Sequence, residues 1–237
     1  DGCKVLAALS QHSYWFLILR SDIDAKRGNL SALKGLRIAA NNGPADGLKR
    51  MLIEAGLNPE KDLQIGPLPG SAGAGLSFGV RAAKALEEGT LDGFWANGMG
   101  AEVAVRNGIG TLVLDVRRGD GPPAARDYTF PAFVTTQKRI DNEPDLVAAA
   151  VRALVGAQQA LKQDPTRATE VGKRLFPETE AGLIAELIRR DAPFYDPAIS
   201  IRSVDALNAF SSNMGILSAA ATYEQVVATQ FRRFWNK

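Results

Sequence analysis

The sequence predicts an α/β fold of two lobes, each a mostly parallel sheet flanked by helices, with a helical C-terminal tail. Short apolar segments alternate with helical segments between Leu36 and Val116, joined by short links. That alternation is typical of a parallel sheet wrapped by helices. Two apolar strands precede this region, and from Asn142 onward the chain reads as almost entirely helical.

Composition and charge exclude several classes of protein. The chain has 237 residues, and 28 Lys and Arg against 26 Asp and Glu give a net charge of +2. No basic run is long enough to follow a phosphate backbone, so we expect no nucleic-acid partner. No apolar run reaches the length of a membrane span. Cys3 is the single cysteine, which excludes an internal disulfide.

The first half of the chain carries most of the predicted strands. Two apolar strands, Lys4–Leu9 and Trp15–Arg20, flank the polar turn Ser10–Tyr14. The alternating region then predicts strand Leu36–Ala40, helix Ala45–Ala55, strand Leu63–Leu68, helix Val80–Glu88, strand Leu91–Ala96, helix Gly100–Asn107 and strand Gly110–Val116. A glycine follows each of these helices, as expected where a helix ends.

The second half begins with one strand and continues as helices. The segment Tyr128–Thr136 reads as a strand in which Pro131 forces an edge position or a bulge. Pro144 stands where the first residue of a long helix is expected. Further helices are predicted to begin at Asp164-Pro165, Thr179, Ser203 and Thr222.

These elements predict a discontinuous domain organisation. We expect residues 1–33 and 128–237 to form lobe 1 and residues 34–127 to form lobe 2. The chain would then pass between the lobes near residues 21–35 and 117–128, which predicts a hinged body.

The turn from Asn41 through Asn42, Gly43 and Pro44 to Ala45 joins a strand to a helix. Asn42 or Gly43 can cap that helix, and its free N–H groups and positive dipole end then favour an electronegative group of a ligand. Every helix in an α/β unit starts in this way, so a purely structural role is an equal alternative for the turn alone. Its place at the carboxyl end of a strand favours ligand binding.

Two more turns are candidates for ligand contact. Trp95, Asn97, Gly98 and Met99 lie in a second turn of small residues between a strand and a helix, and two such helix N-termini on one sheet could grip an anionic or amide-bearing ligand. The turn after the first strand offers polar side chains beside Trp15, namely Ser10, His12, Ser13 and Tyr14. A capped surface turn with a buried Trp15 is as good an interpretation of these residues.

Three motifs indicate chemistry that the rest of the chain does not support. The glycines of Gly73–Gly79 are spaced more widely than in a dinucleotide turn, and the acid of the next strand, Asp92, lies at its start. The same segment fits G-x-S-x-G, but the only histidine, His12, lies upstream. A lone histidine is a weak indication of a metal, so we expect no metal and no cofactor.

Arg117 and Arg118 could hold an acidic ligand, although a solvated hinge is the favoured interpretation.

Three segments together resemble a known family. "NLSALKGLRIAANNGPADGLKRMLIEAGLNPEKDLQI", "AKALEEGTLDGFWANGMGAEVAVRNG" and "IDNEPDLVAAAVRALVGAQQALKQDP" follow one another in that order. In order and spacing they resemble the periplasmic solute-binding proteins of ABC transporters, in the branch that carries thiamine-precursor pyrimidines, taurine, alkanesulfonates and nitrate.

The resemblance implies a type II periplasmic-binding-protein fold whose two lobes close on a small polar, anionic or heteroaromatic solute. It implies a monomer outside the cytoplasm that delivers its solute to a membrane permease, without catalysis. Its ligand contacts would map onto the turns already named and onto the loop "PGSAG", which adds Ser71 and Ala72. Members of the family begin with a further strand–helix–strand stretch. We expect that this sequence lacks that stretch.

Two other functions remain open at this stage. An enzyme on the same scaffold, such as a pyrimidine synthase, would use several histidines and a cysteine-rich motif that this chain lacks. An effector-binding domain of a transcription regulator shares the two-lobe plan and would need a DNA-binding segment upstream.

Overall fold

A computed structural model describes residues 2–68 and 77–236 of the chain. The chain divides into two compact units. Unit 1 contains the residues up to His12 and those from Asp127 onward, and unit 2 contains Ser13–Arg126. The predicted α/β class is confirmed, since both units combine strands with helices.

The strands and helices of the described residues follow one another along the chain. The strands are β1 Cys3–Ala8, β2 Phe16–Arg20, β3 Arg37–Ala40, β4 Gln64–Gly66, β5 Gly93–Ala96, β6 Gly110–Asp115 and β7 Ala132–Thr136. The helices are α1 Pro44–Glu54, α2 Phe78–Glu87, α3 Gly98–Arg106, α4 Gln137–Asn142, α5 Pro144–Gln163, α6 Arg167–Leu175, α7 Glu178–Asp191, α8 Ile201–Asn213 and α9 Tyr223–Val226.

Unit 2 is built on a five-stranded sheet in the order β4-β3-β5-β2-β6. β3 pairs in parallel with β4 and β5, whereas β2 is antiparallel to both β5 and β6. All strands of this sheet except β2 therefore run in one direction. Their carboxyl ends, together with the start of β2, lie at one edge, which we call the carboxyl edge.

The position of β2 corrects the predicted division of the chain. The sequence placed residues 13–33 in lobe 1 and a hinge near 21–35, but both ranges lie inside unit 2. The four residues Phe16–Leu19 are each 0% exposed, because β2 is an inner strand with both faces covered. The chain passes between the units after His12 and after Arg126 instead.

Two glycines bring α2 and α3 together on one side of this sheet. A Cβ atom added to Gly79 would lie 2.9 Å from both Cα and N of Gly100, and one added to Gly100 would overlap the backbone of Gly79. The two helices share a core with the strands, which includes Phe16, Phe94, Leu86 and Ala104. Gly79 and Gly100 therefore serve helix packing, a role that the sequence motifs do not indicate.

Unit 1 has an antiparallel strand pair and most of the helices. β1 pairs antiparallel with β7, so the prediction of a mostly parallel sheet in this lobe is wrong for its described strands. Pro131 lies immediately before β7, where it needs no ladder N–H. α5 begins at Pro144 as predicted and buries Val147, Val151 and Val155 against Leu6 and Phe231.

Among the described helices, none combines the length and the apolar character that a membrane span requires. Ser71 and Ala72, predicted to contact a ligand, lie outside the described residues.

Candidate functional site

The predicted turns around Asn42 and Asn97 lie side by side at the carboxyl edge of unit 2. β3 and β5 are parallel neighbours in which Ala40 pairs with Trp95. Asn41 and Ala96, the residues that follow this pair, therefore leave the sheet next to each other. The two strands lead into α1 and α3 respectively, so the N-termini of these helices share one edge.

The N-terminus of α1 uses donors that the sequence analysis expects to be open for a ligand. Gly43 is the N-cap residue with φ 77°, a conformation that favours glycine, and no side chain caps the helix. The N–H groups of Ala45 and Asp46 donate to the carbonyls of Asn41 and Gly43, each at 2.9 Å. Pro44 has no N–H. The expectation of free N–H groups in this first turn therefore does not hold for Ala45 and Asp46, while the side chains of Asn41 and Asn42 remain exposed.

The N-terminus of α3 keeps its donors open. Asn97 is the N-cap residue, and its side chain makes no capping hydrogen bond. No described residue accepts a hydrogen bond from the backbone N–H of Gly98, Met99 or Gly100. The Asn97 Oδ1 atom is buried and has no partner within the described part of the chain. Because the helix dipole is positive at this end, α3 is the better of the two sites for an electronegative group.

Trp95 is a buried residue that connects β5 to α1 at the carboxyl edge. Its side chain is 1% exposed, and its indole Nε1 donates to the carbonyl of Pro44 at 2.9 Å. The predicted contact between Trp95 and a solute is therefore replaced by an indirect role, since the ring holds the start of α1 against the end of β5. Phe94 is also buried in the core, so neither aromatic residue of this strand offers a ring face to a ligand.

The structure separates the predicted turn Ser10–Tyr14 into two parts. Ser13 and Tyr14 belong to unit 2, and the pairing of Phe16 with Ala96 places them near the carboxyl edge. The Ser13 N–H donates to the carbonyl of Arg126 at 2.9 Å, and Tyr14 packs on Trp15 with 5.8 Å between ring centroids. Ser10 and His12 belong to unit 1.

His12 has a carboxylate partner that the sequence did not reveal. Its Nδ1 lies 2.7 Å from Oδ1 of Asp127, and Oδ2 of Asp127 lies 3.3 Å from Nη2 of Arg202. His12 has φ 65°, the one positive value for a non-glycine residue in the described ranges. Asp127 stands 115 positions away in the sequence, and no local pattern indicates the pair.

Arg117 is neither a solvated hinge residue nor an exposed anion-binding cation. Its side chain is 0% exposed, and its Nε lies 3.2 Å from Oδ1 of Asp115. The guanidinium carbon lies 4.8 Å from the centre of the Phe16 ring. A cation–π interaction is favourable at this distance. Arg118 reaches the same carboxylate at 3.3 Å from a half-exposed position. The carboxyl edge therefore carries a buried positive charge that is already paired.

Comparison with known proteins gives a family and a set of structural neighbours. A family model described as the NMT1-like family matches residues 20–175. No curated protein matches the sequence.

The solved structures that resemble this chain do so with low sequence identity. A putative sulfonate ABC transporter, periplasmic sulfonate-binding protein from Methylobacillus flagellatus KT has a TM-score of 0.65 and 19% identity, with 98% of this chain and 68% of that chain covered. The periplasmic nitrate-binding protein from Synechocystis PCC 6803 has a TM-score of 0.67 and 15% identity, with coverages of 98% and 66%. The desulfurization enzyme DSZB has a TM-score of 0.64 and 13% identity, with coverages of 99% and 79%. These similarities show a shared fold, and that fold occurs both in binding proteins and in an enzyme.

Proposed function

This chain belongs to the NMT1-like family, and we propose that it is a solute-binding protein of an ABC importer. The observation that carries the proposal is the α3 N-terminus, where three backbone N–H groups have no acceptor among the described residues. A second helix N-terminus lies beside it at the same sheet edge. This arrangement suits an electronegative group of a small solute.

The solute that we propose is small and polar, anionic or heteroaromatic. Its electronegative group would lie against Asn97, Gly98 and Met99, with the exposed amides of Asn41 and Asn42 beside it. The remaining candidate contacts within unit 2 are Ser13, Tyr14, Gly43, Pro44, Ala45, Ser71 and Ala72. Capture by closure of two lobes stays a prediction.

The neighbours support an extracytoplasmic role. Two of those compared are periplasmic binding proteins, for sulfonate and for nitrate. We propose that this protein likewise acts outside the cytoplasm as a monomer and passes its solute to a membrane permease. We propose no cofactor and no nucleic-acid partner.

A second candidate is an enzyme on the same fold, which the similarity to the desulfurization enzyme DSZB favours. The two functions differ in what happens to the ligand. A binding protein returns its solute unchanged, so prolonged incubation of protein with each bound compound, followed by mass spectrometry of the small molecules, distinguishes them.

The binding experiment measures melting temperature against sulfonates, nitrate, pyrimidines and carboxylates. A ligand present at a hundred times its dissociation constant adds about 2.7 kcal/mol of stability. Asn97→Asp is the test variant, because Asp caps a helix as well as Asn does but places a negative charge at the α3 N-terminus. We expect anionic ligands to bind it at least about tenfold more weakly.

Asn29→Asp is the matched control, since Asn29 is the N-cap residue of a short 3-10 helix, Leu30–Leu33, in unit 2. Equal binding by the two variants would show that α3 is not the site. A panel without any shift, on protein that is folded and free of ligand, would argue against solute binding altogether.

A further inference from the structure

Unit 1 contains a cavity of about 290 Å³ between α5 and the segment 193–197, with Trp235 in its wall. The cavity is large enough for a small metabolite, although it lies at the low end of ligand-site volumes. None of its lining residues belongs to the turns predicted to bind the solute. It is therefore a separate feature of the molecule.

The walls of this cavity are held by hydrogen bonds to β1. Nε2 of Gln158 donates to the carbonyls of Ala8 and Leu9, each at 2.9 Å. The carbonyl of Pro197 accepts from the N–H of Ala8 at 2.9 Å. The indole Nε1 of Trp235 donates to the carbonyl of Leu6 at 3.0 Å. These bonds connect three lining residues, Gln158, Pro197 and Trp235, to the backbone of residues 6–9.

Gln158 carries an acceptor that the protein leaves unused. The residue is 5% exposed, and its Oε1 atom is buried without a partner among the residues described. Buried polar atoms are almost always hydrogen-bonded, so an orphaned acceptor in a cavity wall needs a donor from elsewhere. The two hydrogen bonds of Nε2 hold the amide in place, so we assign the ligand contacts to the charged residues of the cavity and not to this atom.

Two unpaired charges of opposite sign stand on the exposed side of the cavity. Lys162 and Asp196 both line it, and neither forms an ion pair with any residue in the described part of the chain. Oδ1 of Asp196 accepts from the N–H of Ala198 at 2.9 Å, which leaves Oδ2 for another donor. A ligand that satisfies both charges carries an anionic group and a cationic or N–H donor group.

We propose that this cavity binds a small zwitterion such as an amino acid or a dipeptide. Its carboxylate pairs with Lys162, and its ammonium or amide N–H groups meet Asp196. The rings of Tyr195 and Trp235 bound the middle of the molecule. This inference does not depend on the solute site of unit 2.

Fluorine NMR of protein labelled with 5-fluorotryptophan tests the inference, because the chain contains three tryptophans, Trp15, Trp95 and Trp235. Each resonance is assigned with a Trp→Phe variant. The probes are glycylglycine, which has both charges, glycinamide, which lacks the carboxylate, and propionate, which lacks the N–H groups. We expect glycylglycine to shift the Trp235 resonance saturably and each partial probe to bind at least about tenfold more weakly.

Lys162→Gln removes the cation from the rim of the cavity, and Lys138→Gln is the control at another exposed lysine, in α4. We expect the first to weaken glycylglycine binding at least about threefold and the second to leave it unchanged. A Trp235 resonance that does not move up to about 50 mM probe, well above a millimolar dissociation constant, would overturn the proposal. Equal binding by Lys162→Gln and the control would do the same.

The tryptophans also separate this inference from the proposed function. A solute at the α3 N-terminus is expected to move the Trp95 resonance, since Trp95 contacts the start of α1 at the same edge. A shift of Trp95 without one of Trp235 would overturn the cavity proposal and leave the solute site standing. If only the Trp235 resonance shifted, across both the solute panel and the zwitterion probes, the cavity proposal would stand and the solute site at the α3 N-terminus would be overturned.

Discussion

The indole Nε1 of Trp95 donates a hydrogen bond of 2.9 Å to the carbonyl of Pro44. Trp95 belongs to β5 and Pro44 is the first residue of α1. The bond therefore joins the end of one strand to the helix that follows its parallel neighbour. Since both candidate helix N-termini lie at this edge, the bond fixes the distance between them.

Replacing Trp95 with Phe is expected to lower the stability of the protein by about 1–2 kcal/mol, because it removes a buried hydrogen bond and part of a buried ring. The urea midpoint should fall while the slope of the transition stays the same. Trp15→Phe is the control, since Trp15 is partly exposed and no described acceptor receives its indole N–H. Equal losses in both variants would show that the bond to Pro44 contributes nothing specific.

The ionisation of Asp92 makes the free energy of unfolding depend on pH in the acid range. Its carboxylate accepts from Nε of Arg37 at 2.9 Å and lies 3.3 Å from Nη1 of Arg20. The hydrogen bond from Arg37 lowers the pKa of Asp92 from 3.8 to about 2, although partial burial opposes the shift. The folded-state pKa lies below the unfolded value, so this stabilisation is complete above pH 4 and is lost as the pH falls toward 2.

We expect Asp92→Asn to cost roughly 1–2 kcal/mol near neutral pH, after allowance for the screening of half-exposed Arg37. The difference from the wild-type protein should shrink as the pH falls to about 2. Urea unfolding at several pH values measures it. Asp24→Asn, at an exposed carboxylate, controls for net charge, and a difference that stays constant down to the lowest pH would contradict the assignment.

Several elements could be predicted from the sequence because their cause is local. The start of α5 at Pro144 follows from the fixed φ of proline and its missing N–H. The end of α1 before Gly56, which has φ 78°, follows from the preference of glycine for this conformation. The order of β3, α1, β5 and α3 also follows from alternating apolar patterns.

Other features depend on contacts between distant residues. An apolar strand such as β2 is buried in either unit, so its sequence does not show which sheet it joins. The His12–Asp127 pair spans 115 positions. The use of the Ala45 and Asp46 N–H groups within their own turn depends on the backbone geometry at Gly43. The sequence therefore predicted two strand-to-helix turns on one sheet but not which of the two helices keeps its donors open.

The buried pair of Asp115 and Arg117 gives a prediction about charge. Arg117→Leu leaves the carboxylate of Asp115 buried beside only one cation, so we expect a loss of about 3–5 kcal/mol in unfolding free energy. Arg118→Leu is the matched control, because Arg118 pairs with the same carboxylate but is 43% exposed. Its loss should stay below about 1 kcal/mol. Similar losses in the two variants would show that burial of Arg117 is not what makes it important.

The contact between Gly79 and Gly100 predicts that a single methyl group disrupts the carboxyl edge. Gly100 lies in the first turn of α3, and a Cβ atom there would meet backbone atoms of Gly79, which cannot move aside as a flexible side chain can. We expect Gly100→Ala to lower the unfolding free energy by roughly 2–4 kcal/mol. The helices must separate, so the donors of Gly98 and Met99 shift and solute affinity should fall as well.

Gly156→Ala provides the control for this prediction. Gly156 lies within α5, and nothing stands within 4 Å of the position of its Cβ atom. Alanine favours helix more than glycine does, so this variant should gain about 0.5–1 kcal/mol. Urea unfolding and ligand-dependent melting of both variants measure the two effects. A Gly100→Ala protein as stable as the Gly156→Ala protein would mean that α2 and α3 are not in contact at these glycines. A protein that loses stability but binds solute normally would mean that the α3 N-terminus is not the binding site.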